Sequence, residues 1–182
     1  MTILILGLAL WYAGHFWKRA LPDRHTAMGE KAKGVSAALI FAGVVVMVIG
    51  YTMAESNDLF AYPPFFKHIN NLAVLIAIYL MSPGPSKGAF FYKMRHPMLT
   101  GMIVWAVAHM MVNPDTASYV LFGGLTVWAV AEMKVINAAE PDWTPNPKGA
   151  IAKDAMFLVA SLVLLAVIGY IHGLIGPSPF GA

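Results

Sequence analysis

Residues 35–53 read VSAALIFAGVVVMVIGYTM, a run without a charged side chain. About 20 such residues, rising ~1.5 Å each as a helix, cross the ~30 Å hydrocarbon layer of a membrane. Outward from this run, Val35 to Met53, five more apolar blocks follow: Ile3 to Trp17, Phe65 to Met81, Met98 to Val112, Ala117 to Ile136 and Ala155 to Ile171. The blocks at Phe65 and Met98 are short for a full crossing. Composition agrees, since 59% of the 182 residues are hydrophobic and 12% are charged, against about 45–50% and about 25% in a soluble domain. A water-soluble fold would lack the polar surface to cover itself. The expected fold is all-α, a polytopic transmembrane bundle of about six helices, with residues 1–182 forming one domain.

Turn signals separate the blocks: Leu21-Pro22-Asp23, Tyr62-Pro63-Pro64, Ser82-Pro83-Gly84-Pro85, Asn113-Pro114-Asp115 and Glu140-Pro141 through Pro147. Proline removes a helical hydrogen bond and clashes with the preceding turn, so these segments read as connections. No low-complexity segment or internal repeat is evident. Lys18, Arg19, Arg24, Lys31 and Lys33 lie between the first and second blocks; Lys87, Lys93 and Arg95 between the third and fourth; Lys134, Lys148 and Lys153 at or near the last connection. Lys67 alone falls on the opposite side. By the positive-inside rule the basic connections are cytoplasmic and both termini lie on the periplasmic, outer side. The net charge of +3 therefore reports topology and gives no reason to expect a nucleic-acid partner. The first apolar block has no Lys or Arg before it and a basic cluster after it. That order inverts the secretory pattern, so a retained first helix is expected.

The absence of cysteine excludes disulfides, thiolate metal ligation, iron–sulfur clusters and thioether haem attachment in this chain. A metal would have to be held by His, Asp, Glu or Met. Ionisable groups inside a membrane are costly without a partner, which makes the six histidines the informative residues. His15, one turn after Trp11 and Tyr12 and just before Lys18-Arg19, reads either as an interfacial side chain or as a buried ligand. His109 lies in an otherwise apolar helix with Trp105 and Asn113 at i−4 and i+4 on its face, and ligation or catalysis is the better reading.

His68 opens a span as Lys67-His68-Ile69-Asn70-Asn71, and Tyr79 returns to nearly the same helical face. The Asn pair must be buried against protein, water or ligand, or serve as helix-start chemistry. His96 precedes Pro97, which fixes a helix start, and Gly101 permits close approach. His25 is expected in a solvated loop and His172 at the membrane interface. Glu132 reads first as a structural ion-pair partner for Arg95 or Lys93. Gly43, Gly50 and Gly123-Gly124 read as packing sites.

Together these residues resemble a known family. The run Arg95-His96-Pro97-x-x-x-Gly101, then Trp105-Ala106-Val107-Ala108-His109, Asn113-x-Asp115 and Leu121-Phe122-Gly123-Gly124, looks like the signature of NnrU proteins. His15, the Gly29-Glu30-Lys31-x-Lys33-Gly34 segment and His68-x-Asn70-Asn71 fit the same pattern, which covers nearly the whole chain. That family is similar to the 15-cis-zeta-carotene isomerase of plants and cyanobacteria, an integral membrane protein that binds haem b. Its bacterial members are associated by name with nitrite and nitric oxide reduction.

The resemblance implies noncovalent haem b, with His15 and His109 as axial ligands and His96 as the motif histidine. It further implies redox-gated cis–trans isomerisation of a carotenoid-like polyene in a bacterial inner membrane. His109 and His96 are the implied catalytic residues; Asn71, Arg95 and His68 join the implied cofactor site. Depth along the helices favours a different arrangement. His109 lies thirteen residues, roughly 20 Å, from His96, so His68 would pair with His109 and His15 with His96 unless tilted helices bring His15 to His109. Expected partners are membrane lipid, an apolar small-molecule substrate, and a membrane-protein partner or a second copy of the chain.

The short outer loops depart from the plant enzyme. A second class is therefore a non-enzymatic accessory protein supporting nitrite and nitric oxide reduction. A third is a membrane methyltransferase, since Arg-His-Pro-x-x-x-Gly occurs there too; against it, this chain offers only Glu132 for a paired-Glu segment and no Tyr-rich tail.

Overall fold

The structure, a computed structural model, describes residues 1–180. Among them are eight helices: α1 (Thr2–Ala20), α2 (Pro22–Met28), α3 (Glu30–Thr52), α4 (Phe66–Met81), α5 (Gly84–Lys87), α6 (Pro97–Val112), α7 (Thr116–Ala139) and α8 (Ile151–Ile175). No strand is present among the described residues beyond one isolated bridge between Asp58 and Asp115. Each apolar block of the sequence coincides with a helix, α1, α3, α4, α6, α7 or α8, with Met53 and Phe65 each one residue beyond a helix end. Three of these, α3, α7 and α8, are long and apolar enough to cross a membrane. Helices α4 and α6, at 16 residues, extend only about 24 Å. The chain divides into two compact units, one of Met1–Ala61 with Pro114–Trp128, the other of Tyr62–Asn113 with the residues from Ala129 onward.

In the first unit α1 and α3 run antiparallel at close range. Gly7 and Gly14 on α1 and Gly43 and Gly50 on α3 repeat at the same seven-residue interval and alternate along the contact, each lying against a larger residue of the other helix: Met47, Ile40, Trp11 and Leu4 in turn. A Cβ on Gly43 would stand 2.8 Å from the Trp11 backbone nitrogen, and one on Gly7 2.5 Å from that of Met47. A Cβ on Gly50 would strike the backbone of Leu4. Where lipid leaves little hydrophobic drive between helices, backbone approach of this kind supplies the packing attraction.

The link between α1 and α3 contains α2, set by Pro22 at its first turn and ended at Gly29, whose φ of +53° is the left-handed region that favours glycine. His25, expected in a solvated loop, instead sits in α2 with its ring 5.1 Å from that of Trp17. Pro22 and Asp23 suit a helix start and give this segment a helical turn of its own.

A polar knot joins the end of α3 to the start of α7. Tyr51 donates to Ser118 Oγ (2.8 Å), which donates to Asp115 Oδ2 (2.6 Å), while Ser56 Oγ donates to Asp115 Oδ1 (2.5 Å). Burial pushes the Asp115 carboxyl upward, but the bonds from Ser118 and Ser56 outweigh it and hold the group below its usual range.

In the second unit α4 and α6 are antiparallel. Gly101 lies against Ala77, Leu80 and Met81, which brings His109, two turns further along α6, level with the first turns of α4. Helix α8 packs on α4. Tyr79 donates to Asp154 Oδ1 at 2.5 Å, and Asp154 Oδ2 accepts the Ala89 backbone N–H at 2.6 Å. Both side chains are buried. His68 shares a face with Tyr79 by spacing yet is exposed, because that face is uncovered at the first turn of α4. Residues 140–150 are irregular, as the proline-rich connection requires.

Candidate functional site

The second unit contains a cavity of about 160 Å³ whose wall includes Lys67, Asn70, Asn71, Trp105, His109, Asn113 and His172. Helix α4 supplies the first three, α6 supplies Trp105 and His109, and α8 supplies His172. The chain after α8 folds back to complete the wall. Asn71 Nδ2 donates to the Pro179 carbonyl at 2.9 Å, and His172 Nδ1 donates to that of Pro177 at 2.9 Å.

The Asn71 bond fixes the neighbouring amide as well. With Nδ2 facing a carbonyl, Asn71 must present Oδ1 to Asn70, and it accepts from Asn70 Nδ2 at 3.2 Å. Asn70 Oδ1 is then oriented as an acceptor, and it has no hydrogen-bond partner although the residue is only 8% exposed. A buried acceptor left without a donor costs about 1–3 kcal/mol. A water or a ligand that donates a hydrogen would satisfy it.

His109 is held by its own helix. Its Nδ1 donates to the Trp105 carbonyl at 2.8 Å, and the two rings lie 4.7 Å apart at 47°. In the first unit His15 has the same surroundings: Nδ1 donates to the Trp11 carbonyl at 2.8 Å, with the rings 4.4 Å apart at 43°. His15 packs also on Trp128, centroid to centroid 4.5 Å. Both are Trp-x-x-x-His modules in which the carbonyl one turn back places the proton on Nδ1. The neutral ring then carries its lone pair on Nε2, the state of a metal-ligating histidine with its outer hydrogen bond in place. Among the described residues no three His, Asp or Glu side chains converge on one point, so these modules offer single nitrogen donors rather than a cage.

Arg95 and His96 are gathered elsewhere. His96 Nε2 donates to Asn137 Oδ1 at 2.8 Å, and the Arg95 guanidinium donates to the Glu140 carbonyl and lies 5.8 Å from the centre of the Trp143 ring. They anchor the start of α6 to the end of α7 and the segment after it, with His109 about 20 Å further along the helix. His68 is not part of the cavity wall, whereas Asn71 is.

The NnrU protein family model matches residues 3–179, nearly the whole chain. The chain belongs to the NnrU family. No curated protein and no solved structure matches it. In this NnrU-family chain the sequence singles out His15, His109 and Asn71 and passes over three residues of the site. Lys67 reads only as a topological charge, Asn70 is indistinguishable from Asn71, and His172 reads as interfacial. The repeated Trp-x-x-x-His spacing was the available signal for a shared role of the two modules. No local signal announces the fold-back of Pro177–Pro179.

Proposed function

We propose that this NnrU-family protein is a multi-pass protein of the bacterial inner membrane that binds haem b noncovalently through His15 and His109 and isomerises a carotenoid-like polyene. In this reading α1, α3, α4, α6, α7 and α8 cross the membrane, both termini face outward, and the Lys- and Arg-rich connections are cytoplasmic. The observation that carries the reading is the matched pair of Trp-x-x-x-His modules. Each fixes the proton on Nδ1 by a 2.8 Å bond to the carbonyl four residues back, which suits Nε2 to ligate haem iron.

When bound, held by His15 and His109, haem would supply redox-responsive Lewis-acid chemistry. The chain's own residues do the rest. Trp11, Trp128 and Trp105 pack on the two imidazoles and keep water from them, while the carbonyl bonds raise their basicity. Arg95 and His96 position α6, and with it His109, by tying the helix start to Asn137 and Glu140. An apolar cleft of about 520 Å³ in the second unit, walled by Leu72, Ile76, Phe90, Phe91 and Leu158, suits a hydrocarbon chain.

Protein purified from haem-replete cells is expected to show a bis-histidine Soret band in oxidised and reduced states. His15→Ala and His109→Ala should each abolish that six-coordinate spectrum, and His172→Ala should leave it. A colourless wild-type preparation would sink the haem reading. A deletion strain that accumulates the cis polyene supports isomerisation. One that loses nitric oxide reduction with normal pigments points instead to an accessory role.

A further inference from the structure

We infer that the cavity beside His109 is a carboxyl-binding site, receiving a carboxyl group carried on an apolar body. Three observations converge on it. First, the wall contains one lysine and two histidines, and no Asp or Glu among the described residues. In a low-dielectric setting that imbalance attracts an acidic group and repels a cation.

Second, Asn70 is buried in this wall with Oδ1 lacking a donor, so a bare acceptor such as a halide leaves it unsatisfied. A carboxyl group meets both demands. One oxygen accepts from Lys67, while the acid O–H, or the water that hydrates the carboxylate, donates to Asn70 Oδ1. Third, an apolar stretch of wall, Val74, Val112, Leu165 and Ile168, adjoins the polar groups. The volume, about 160 Å³, admits a small acidic group and a few waters but not a drug-sized molecule, which occupies ~300 Å³ or more. The acid is therefore the end of something larger that lies outside the cavity.

Two carriers have this chemistry: a haem propionate, which rests on the haem reading above, and a fatty acid from the membrane. The test is equilibrium binding to the full chain in detergent, comparing haem b with its dimethyl ester and dodecanoate with dodecanol. The acid member of at least one pair should bind about tenfold more tightly than its uncharged counterpart. Lys67→Met should erase that preference, Lys67→Arg should keep it, and Lys93→Met should not change it.

A preference confined to haem over its ester assigns the site to a propionate. A preference for dodecanoate over dodecanol in a protein that takes up no haem leaves the carboxyl site standing and removes the haem reading. Equal binding within both pairs, or a preference that survives Lys67→Met, overturns the proposal.

Discussion

The two units of this chain both use glycine to bring helices together but differ in what lies beside the contact. In the first, Gly7, Gly14, Gly43 and Gly50 bring α1 and α3 into backbone contact, and the main polar network, around Asp115, is closed on itself. In the second, Gly101 lets α4 and α6 approach, but the first turns of α4 and the last turns of α6 line a cavity with an unsatisfied amide oxygen. The first arrangement has no room to change without loss. Unused hydrogen-bonding capacity occurs in both units, at the Trp11 and Trp128 indole N–H groups of the first and at Asn70 Oδ1 of the second, but Asn70 lines a cavity, and that is what distinguishes a place to bind from a place to brace.

The comparison breaks most sharply at Gly50. Gly50→Leu pushes side-chain carbons into the Leu4 backbone, which cannot move aside as a flexible side chain can. The expected destabilisation is about 3 kcal/mol or more, seen as loss of the folded fraction in detergent thermal melts. Next comes Asp154→Ala in the second unit. It leaves the Tyr79 hydroxyl and the Ala89 N–H without their acceptor, for about 2–3 kcal/mol. Tyr79→Phe should cost less, because the Ala89 bond survives.

A smaller effect separates the units by pH. The folded carboxyl of Asp115 titrates below the ordinary value of about 3.9, so its contribution is complete above that value and is lost as pH falls through the lower folded one. Melting temperatures of Asp115→Asn should therefore fall less than those of wild type between pH 7 and pH 3. An identical fall would show that the knot does not stabilise the first unit through its charge. The smallest effect belongs to Gly34→Ala. No heavy atom lies within 4 Å of its added methyl, and helix propensity alone should raise stability by up to about 1 kcal/mol. A large loss there would mean that the seven-residue glycine register is not what sets the packing.

The helices themselves were legible because contiguous apolar length is written directly in the chain. His109 stood out for the same reason, as a polar group in Gly101 to Val112 with few local partners. Burial on α4 was harder to read. Helical spacing puts His68 and Tyr79 on one face, yet Tyr79 meets Asp154 and His68 meets no covering helix. Asp154 draws no notice in the sequence, and only the approach of α4 and residues 88–89 makes it a buried acceptor. The asymmetry between Asn70 and Asn71 depends on a carbonyl more than 100 residues away, so no local pattern contains it.

That distant carbonyl has a further consequence. Pro177 and Pro179 line the cavity, and their polar contribution is a pair of backbone oxygens, which another residue at either position would still supply. Ending the chain at Gly176 would strip His172 and Asn71 of their acceptors together. The freed Asn71 amide could then turn, which would release Asn70 from the orientation that makes it an acceptor. The chemistry of the cavity is thus governed in part by the backbone that follows the last helix.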